Sequence, residues 1–170
     1  MLPAGLRQLM SAFPHAGTVV WIGVRPAPRV AMQSLQSVEA IAGLGLAGDR
    51  AAAKSRPGSK RQVTLIQAEH LQAVGSLLRR EPIAASLTRR NIVVSGINLL
   101  ALKGHTFRIG QARLELTGEC QPCSLMESQL GAGGYNAMRG HGGITARVLD
   151  SGLIRVGAGI SVELIPEVAE

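Results

Sequence analysis

Apolar residues along this chain come in short bursts separated by glycine, proline and charge, rather than in long periodic runs. Gly17–Val24 is apolar and rich in β-branched residues, and Pro26 and Pro28 end it, so it reads as a strand. Ser37–Ile41 reads as a second strand and residues 62–66 as a third. Over residues 67–78 the period changes, with Leu71, Val74, Leu77 and Leu78 at helical spacing; His70 on that stretch reads as a surface or capping residue. Residues 89–94 form a strand with a basic entrance, and residues 96–102 a turn or short helix. Thr106–Ile109 and residues 112–116 flank Gly110-Gln111 as a hairpin. Ser124–Leu130 and residues 137–139 read as short helical turns. Residues 153–156 and 161–165, around Gly157 and Gly159, read as a closing pair of strands. Leu6, Leu9 and Met10 predict a short first helix that Pro14 ends. Many short strands, few helices and glycine-rich turns predict a mainly β fold, a closed or partly open β-barrel rather than a doubly wound sheet. One domain is expected over residues 17–165, with residues 1–16 as an N-terminal extension and 166–170 as a C-terminal tail.

Composition sharpens this picture. A chain of 170 residues that is 46% hydrophobic and 17% charged can bury a substantial core. With one Trp, one Tyr and two Phe, that core must be built from Val, Ile, Leu and Ala. The same scarcity counts against single-stranded nucleic acid as a partner, because such proteins stack bases on aromatic rings. The formal charge of +7 favours anionic partners, among them a phosphorylated cofactor. The basic residues come in scattered pairs, Lys60-Arg61, Arg79-Arg80 and Arg89-Arg90, which read mostly as solvated charges with room left for a pocket that takes one small anion. Residues 19–24, the longest apolar stretch, are too few to cross a bilayer, and residues 1–16 lack a signal-peptide pattern. Two closely spaced cysteines do not make a disulfide scaffold. A cytoplasmic protein with reduced thiols and no membrane partner is expected.

The reactive side chains gather in residues 117–147: Cys120-Gln121-Pro122-Cys123, then a glycine-rich run with Arg139, His141 and Arg147. A Cys-x-x-Cys pair has three chemical readings. A redox pair needs a βαβ setting that these strand-rich surroundings do not predict. Half of a zinc site needs two more ligands, and only His105 and His141 are near in sequence, at spacings of no standard module. The third reading is a reactive or metal-ligating thiolate, favoured by nearby cations and a helix start at Cys123. Against all three stands the plain alternative of two buried cysteines beside ordinary turns. A soft thiolate suits molybdenum in a pterin dithiolene as well as copper or zinc. Residues 43–48 match a G-x-G-x-x-G pattern, but no apolar helix follows them, so they read as a mobile loop that carries Asp49 and Arg50.

Gly48-Asp49-Arg50, the run from Arg61 to Ile66, the run from Arg89 to Gly96, Gly118 through Cys123, and Gly140-His141-Gly142-Gly143-Ile144 together resemble the MOSC domain family, the molybdenum cofactor sulfurase C-terminal domain, over residues 17–165. The resemblance implies a β-barrel that binds the molybdenum cofactor and either delivers sulfur to it or uses it to reduce N-hydroxylated compounds. Cys123 matches the family's sulfur-bearing or metal-ligating cysteine, with Cys120 as the second candidate. Arg50, Arg61, Asn91 and Arg147 match cofactor contacts, Asp49 a loop organiser; Arg139 and His141 join them from their chemistry alone. Where better-studied stand-alone members carry His-His-Gly-Gly, this chain has Ala51-Ala52-Ala53-Lys54-Ser55-Arg56, a departure that bears on reduction more than on binding. No lysine stands in a Schiff-base context, so no pyridoxal phosphate is expected here, and a cysteine desulfurase or an electron-donor protein is the implied partner. Two other functions are compatible with the sequence: a non-catalytic basic adaptor for an acidic partner or nucleic acid, and a Cys-x-x-Cys thiol-disulfide exchange protein.

Overall fold

Strand alternation sorts the side chains of this protein into two cores. In the computed structural model, which describes residues 3–163, Val63 and Leu65 of β5 (Val63–Gln67) enter one core while Ile66 between them enters the other. Strand β6 (Ile92–Ser95) does the same, with Ile92 and Val94 on one side and Val93 on the other. The first core fills a barrel. The second lies between the barrel wall and helices α3 (Ala68–Leu77), α4 (Ser124–Leu130) and α5 (Gly134–Met138).

Seven strands close the barrel. β1 (Gly17–Val24) is followed around the wall by β11 (Gly159–Glu163), β7 (Thr106–Ile109), β8 (Ala112–Glu119), β9 (Ile144–Asp150), β5 and β6, which returns to β1. Neighbours are antiparallel except β5 and β6, which run parallel with Leu65 opposite Ile92. A parallel pair needs a long crossover, and residues 68–91 supply it through α3 and the 3₁₀ turn Ala85–Thr88. β2 (Gln33–Leu35) extends the wall beyond β1, and β3 (Ser37–Ile41), β4 (Gly45–Leu46) and β10 (Gly152–Arg155) form a separate small sheet. Among the described residues no helix is long and apolar enough to cross a membrane.

The predicted barrel, the strands Gly17–Val24 and Ser37–Ile41 and the β7–β8 hairpin are found, with Ser37–Ile41 in the small sheet rather than in the barrel wall. Three expectations need correction. β10 and β11 do not pair with each other: β10 joins β3, while β11 lies between β7 and β1. The turn between them is drawn away by Val156 N–H donating to Gln36 O and Gly157 N–H donating to Val19 O, which carries the chain from the small sheet to the barrel. Residues 43–48 are not a plain loop, because Gly45 and Leu46 pair with β3, and Asp49 then caps a short helix, α2 (Arg50–Lys54). Helix α1 (Ala4–Met10) stops before Pro14, where Ser11 turns its N–H and hydroxyl back onto Arg7 O. Phe13 packs against the barrel core. The predicted strand end at Ile165 and the tail at residues 166–170 lie outside the described residues.

One glycine shows how closely the chain is routed. Gly143, entering β9, has φ +83°, and a Cβ there would stand 1.9 Å from Leu65 O. Gly58 has a similar φ of +81° with nothing near it. Gly143→Ala should therefore cost roughly 2–5 kcal/mol in denaturant unfolding, and Gly58→Ala only the left-handed penalty of about 1–2 kcal/mol; equal losses would refute the packing argument.

Candidate functional site

From the end of β8 the chain passes through Cys120, Gln121, Pro122 and Cys123 into α4. Cys123 occupies the N-cap position in an extended conformation, with φ −131° and ψ 176°, and its side chain makes no capping hydrogen bond. Both thiols are free, but they differ: Cys123 is exposed and Cys120 is 4% exposed. Cys120 N–H donates to Gly143 O at 2.8 Å, which ties the cysteine loop to the start of β9.

Three arginines from distant parts of the chain form one electrostatic group with Cys123. Arg25 follows β1, Arg50 opens α2, and Arg89 follows the Ala85–Thr88 turn with a left-handed φ of 58°. The Nε of each is buried without a hydrogen-bond partner. Burial first, then repulsion from Arg25, hold the Arg89 guanidinium below the ordinary arginine range; Cys123 opposes this, Arg50 adds to it, and Asp49 opposes it. Buried donors are normally satisfied, so these three guanidinium nitrogens have hydrogen-bonding capacity that the protein's own groups do not use.

Asp49 and Asn91 hold this group in place. Asp49 is 3% exposed; its Oδ1 accepts from Ala51 N–H at 2.8 Å, and its Oδ2 from Arg25 N–H at 2.8 Å and Asn91 Nδ2 at 3.0 Å. Asn91 Nδ2 also donates to Gly23 O at 3.2 Å, while its Oδ1 accepts from Thr64 N–H and Thr64 Oγ1 at 3.1 and 3.0 Å. The protein itself thereby fills all four hydrogen-bonding positions of the Asn91 side chain. Behind the loop lies Arg90, 5% exposed, donating to the carbonyls of Thr88, Gly142, Cys120 and Gln121.

The remaining candidates are spread more widely. Arg61 is exposed, close enough to Arg90 to act on its charge. Arg139 is exposed, and its carbonyl faces His141 Nδ1 at 3.1 Å. His141 stands edge-on to His70, with ring centroids 5.1 Å apart. The Nδ1 of His70 is buried without a partner, and burial first, then His141, lower its proton affinity, with Glu69 opposing. His70 shares a narrow cavity with Cys120, on a wall that does not include Cys123. Arg147 is paired with Glu115 at 2.5 Å, beside Lys60 and Thr117. Among the described residues no three or more His, Cys, Asp or Glu are grouped to hold a metal ion, which leaves the half-zinc reading without its further ligands.

The structure thus assembles Asp49, Arg50, Asn91 and Cys123 of the predicted set. Sequence reading did not place Arg25, Arg89, Arg90 or His70 among the site residues. The signal available for Arg89 and Arg90 was their place directly before Asn91 at a strand entrance; Arg25, alone between Val24 and Pro26, had none.

The family model of the MOSC domain matches residues 52–161. Among solved structures, the YuaD protein from Bacillus subtilis superposes with a TM-score of 0.73 at 18% identity, covering 87% of this chain and 96% of that one. YiiM from Geobacillus stearothermophilus gives 0.70 at 18% identity, covering 87% and 75%. YiiM from Escherichia coli gives 0.65 at 18%, covering 89% and 71%. Among curated proteins nothing matches.

Two expectations follow from the site's framework. Asp49→Ala leaves three N–H donors without their acceptor, and a loss of about 2–4 kcal/mol in urea unfolding is expected; a change within about 0.5 kcal/mol would contradict the role given to this carboxylate. Glu127 accepts from the N–H groups of Tyr135 and Gly133, which hold its carboxyl below the usual range and fasten the turn between α4 and α5. Because the folded pKa is the lower one, this stabilisation is present above the unfolded value of about 4.3 and fades as pH falls through the folded value. The Gly133 and Tyr135 amide proton resonances should titrate together at a midpoint below 4.3 in NMR spectra; a midpoint at the unshifted value would contradict the clasp.

Proposed function

The chain belongs to the MOSC domain family, which is associated with the molybdenum cofactor, and on that premise we propose that this protein binds the cofactor with Cys123 as its sulfur ligand or sulfur carrier. The observation that carries the reading is the set of three buried, unpartnered guanidinium Nε atoms grouped with one exposed thiol. A pterin phosphate is an anion of the size and charge such a group accepts, and arginine is suited to phosphate by its fixed fork of donors.

When bound, the cofactor would supply a molybdenum centre that does the two-electron or sulfur chemistry. The work of the protein is binding and orientation. Arg25, Arg50 and Arg89 hold the anionic end, and Asp49 fixes Arg25 and the start of α2 from below. Cys123 presents its sulfur from a backbone that α4 begins and Arg90 braces from behind. Arg61 stands at the edge of the same field.

Of the two roles open to such a site, carrying or donating sulfur fits this chain better than reducing N-hydroxylated compounds. Reduction of an N–O bond consumes protons, and helix α2 faces that task with Ala51, Ala52 and Ala53, which have none to give. His70 lies elsewhere, in a cavity with Cys120, and His141 stands edge-on to it. A cysteine desulfurase is then the expected partner and the cytoplasm the expected compartment.

The test is protein expressed in a host that makes the cofactor, with molybdenum measured by elemental analysis and pterin by fluorescence. Wild type should carry both. Cys123→Ala should lose most of the molybdenum, Arg50→Met with Arg89→Met should lose pterin, and Cys120→Ala should keep both. Equal molybdenum in wild type and Cys123→Ala, or none in either, would overturn the reading. Dependence on Cys120 as strong as on Cys123 would point to thiol-disulfide exchange, and a steep loss of partner with salt but not with Cys123→Ala to an electrostatic adaptor.

A further inference from the structure

Trp21 is the only tryptophan of the chain, and it does not enter the barrel core. Val19, Ile22 and Val24 of β1 point into that core. A β-bulge at Val20, between the pairing of Val19 with Val94 and that of Trp21 with Val93, turns Trp21 to the outer face of the wall. Strand alternation then puts Trp21, Gly23 and Arg25 in one outward row. Gly23 leaves room for the indole: a Cβ there would stand 2.0 Å from Trp21 Cη2, 2.6 Å from Cζ3 and 2.8 Å from Cζ2. The benzo end of the ring therefore leans along the strand and covers Gly23, two strand residues or about 6–7 Å short of Arg25.

The residue beneath the ring belongs to the framework of the arginine group. Gly23 O accepts from Asn91 Nδ2, which also donates to Asp49 Oδ2, and that same oxygen accepts from Arg25 N–H. Trp21 packs on the edge of the second core, as do Ala85 and Leu87 from the turn that leads to Arg89. The indole thus stands beside the elements that carry Arg25 and Arg89. It is only partly buried. Among the described residues nothing hydrogen-bonds its Nε1, which is not one of the buried unpartnered nitrogens, so the pyrrole edge of the ring meets solvent. An indole seated on glycine at one end and open at the other, bordering a set of unused guanidinium donors, offers a stacking surface for a flat ring.

We propose that Trp21 is the ring-binding wall of the arginine site: its indole takes the flat heterocycle of a ligand whose phosphate is held by Arg25, Arg50 and Arg89, so that the site selects ring-bearing phosphates over the bare anion. This rests on the reading of the three arginines as the anion-holding group, and neither on Cys123 nor on molybdenum. A tryptophan that merely filled the gap beside Gly23 would bear on every ligand of the arginines alike.

The experiment measures binding of two probes, neopterin monophosphate and inorganic phosphate, to full-length protein by titration calorimetry. Wild type should bind the pterin phosphate about tenfold more tightly than the bare anion, or better. Trp21→Leu should weaken the pterin phosphate roughly five- to thirtyfold, the lower part of what stacking one base on an aromatic ring contributes, and change inorganic phosphate less than about twofold. Where Trp21→Leu does not fold, Trp21→Phe keeps a smaller ring in place and should weaken the pterin phosphate alone, by roughly two- to fivefold. Equal affinity of wild type for both probes, no binding of either, or a parallel loss of both in a folded variant would reduce Trp21 to packing and overturn the proposal. Molybdenum content is measured separately on wild type. Protein without the metal that still prefers the pterin phosphate through Trp21 would sink the cofactor reading and leave this one standing; molybdenum-loaded protein whose grip on neopterin monophosphate survives Trp21→Leu would do the reverse.

Discussion

The side chain of Asn91 is the point on which the arrangement turns. It joins β5 through Thr64, β1 through Gly23 O, and the start of α2 through Asp49. The parallel pairing of β5 and β6 begins one residue later, at Ile92. A parallel pair inside an antiparallel barrel has no tight hairpin to set its register, so register must come from side chains and from the crossover. Asn91 N–H donates to both Thr64 O and Thr64 Oγ1, while its own Oδ1 takes the Thr64 donors, so the two residues lock reciprocally. A fully satisfied buried network of this kind is stiff, and a loss of any one member strands the others.

That stiffness explains how three like charges can be held together. Asp49 lies among them, yet its carboxylate oxygens are bonded to backbone and amide N–H groups rather than to guanidinium nitrogens. Its negative charge offsets the repulsion felt by Arg89 while leaving the guanidinium forks free. Had Asp49 formed bidentate ion pairs instead, the arginines would be neutralised and closed to an anion. Separating the charge of a carboxylate from its hydrogen bonds is what lets Asp49 steady the group while leaving the three Nε donors unused.

The barrel was legible in the sequence because its signals are local. Gly17–Val24 is bounded by glycine and proline, and the β7–β8 hairpin by Gly110-Gln111, so their extents follow from neighbouring residues. Strand partners are not local, which is why β10 and β11 read as a pair although each pairs elsewhere. The site divides in the same way. Cys123 and the Gly48-Asp49-Arg50 turn are short contiguous motifs and could be named, but Arg25 meets Arg50 and Arg89 only once β1, α2 and the crossover are assembled. Scattered arginine pairs look like solvated charge until the fold shows which nitrogens water does not reach. Arg147 shows the converse, since its place near the cysteines in sequence coexists with an ion pair to Glu115 on the neighbouring strand.

The two cysteines illustrate how three residues of chain can separate two chemical lives. Cys120 continues β8, and its N–H bond to Gly143 O keeps it within the last rung of the barrel wall, which buries the side chain. Pro122 lacks an N–H and so cannot extend the ladder, and α4 begins only after Cys123. Cys123 is therefore released to the surface in extended conformation at the first position where α4 can begin. Exposure of one sulfur and burial of the other are consequences of where a strand must stop and a helix may start, and any chemistry that depends on a single reachable sulfur inherits its selectivity from that backbone constraint rather than from the cysteines themselves.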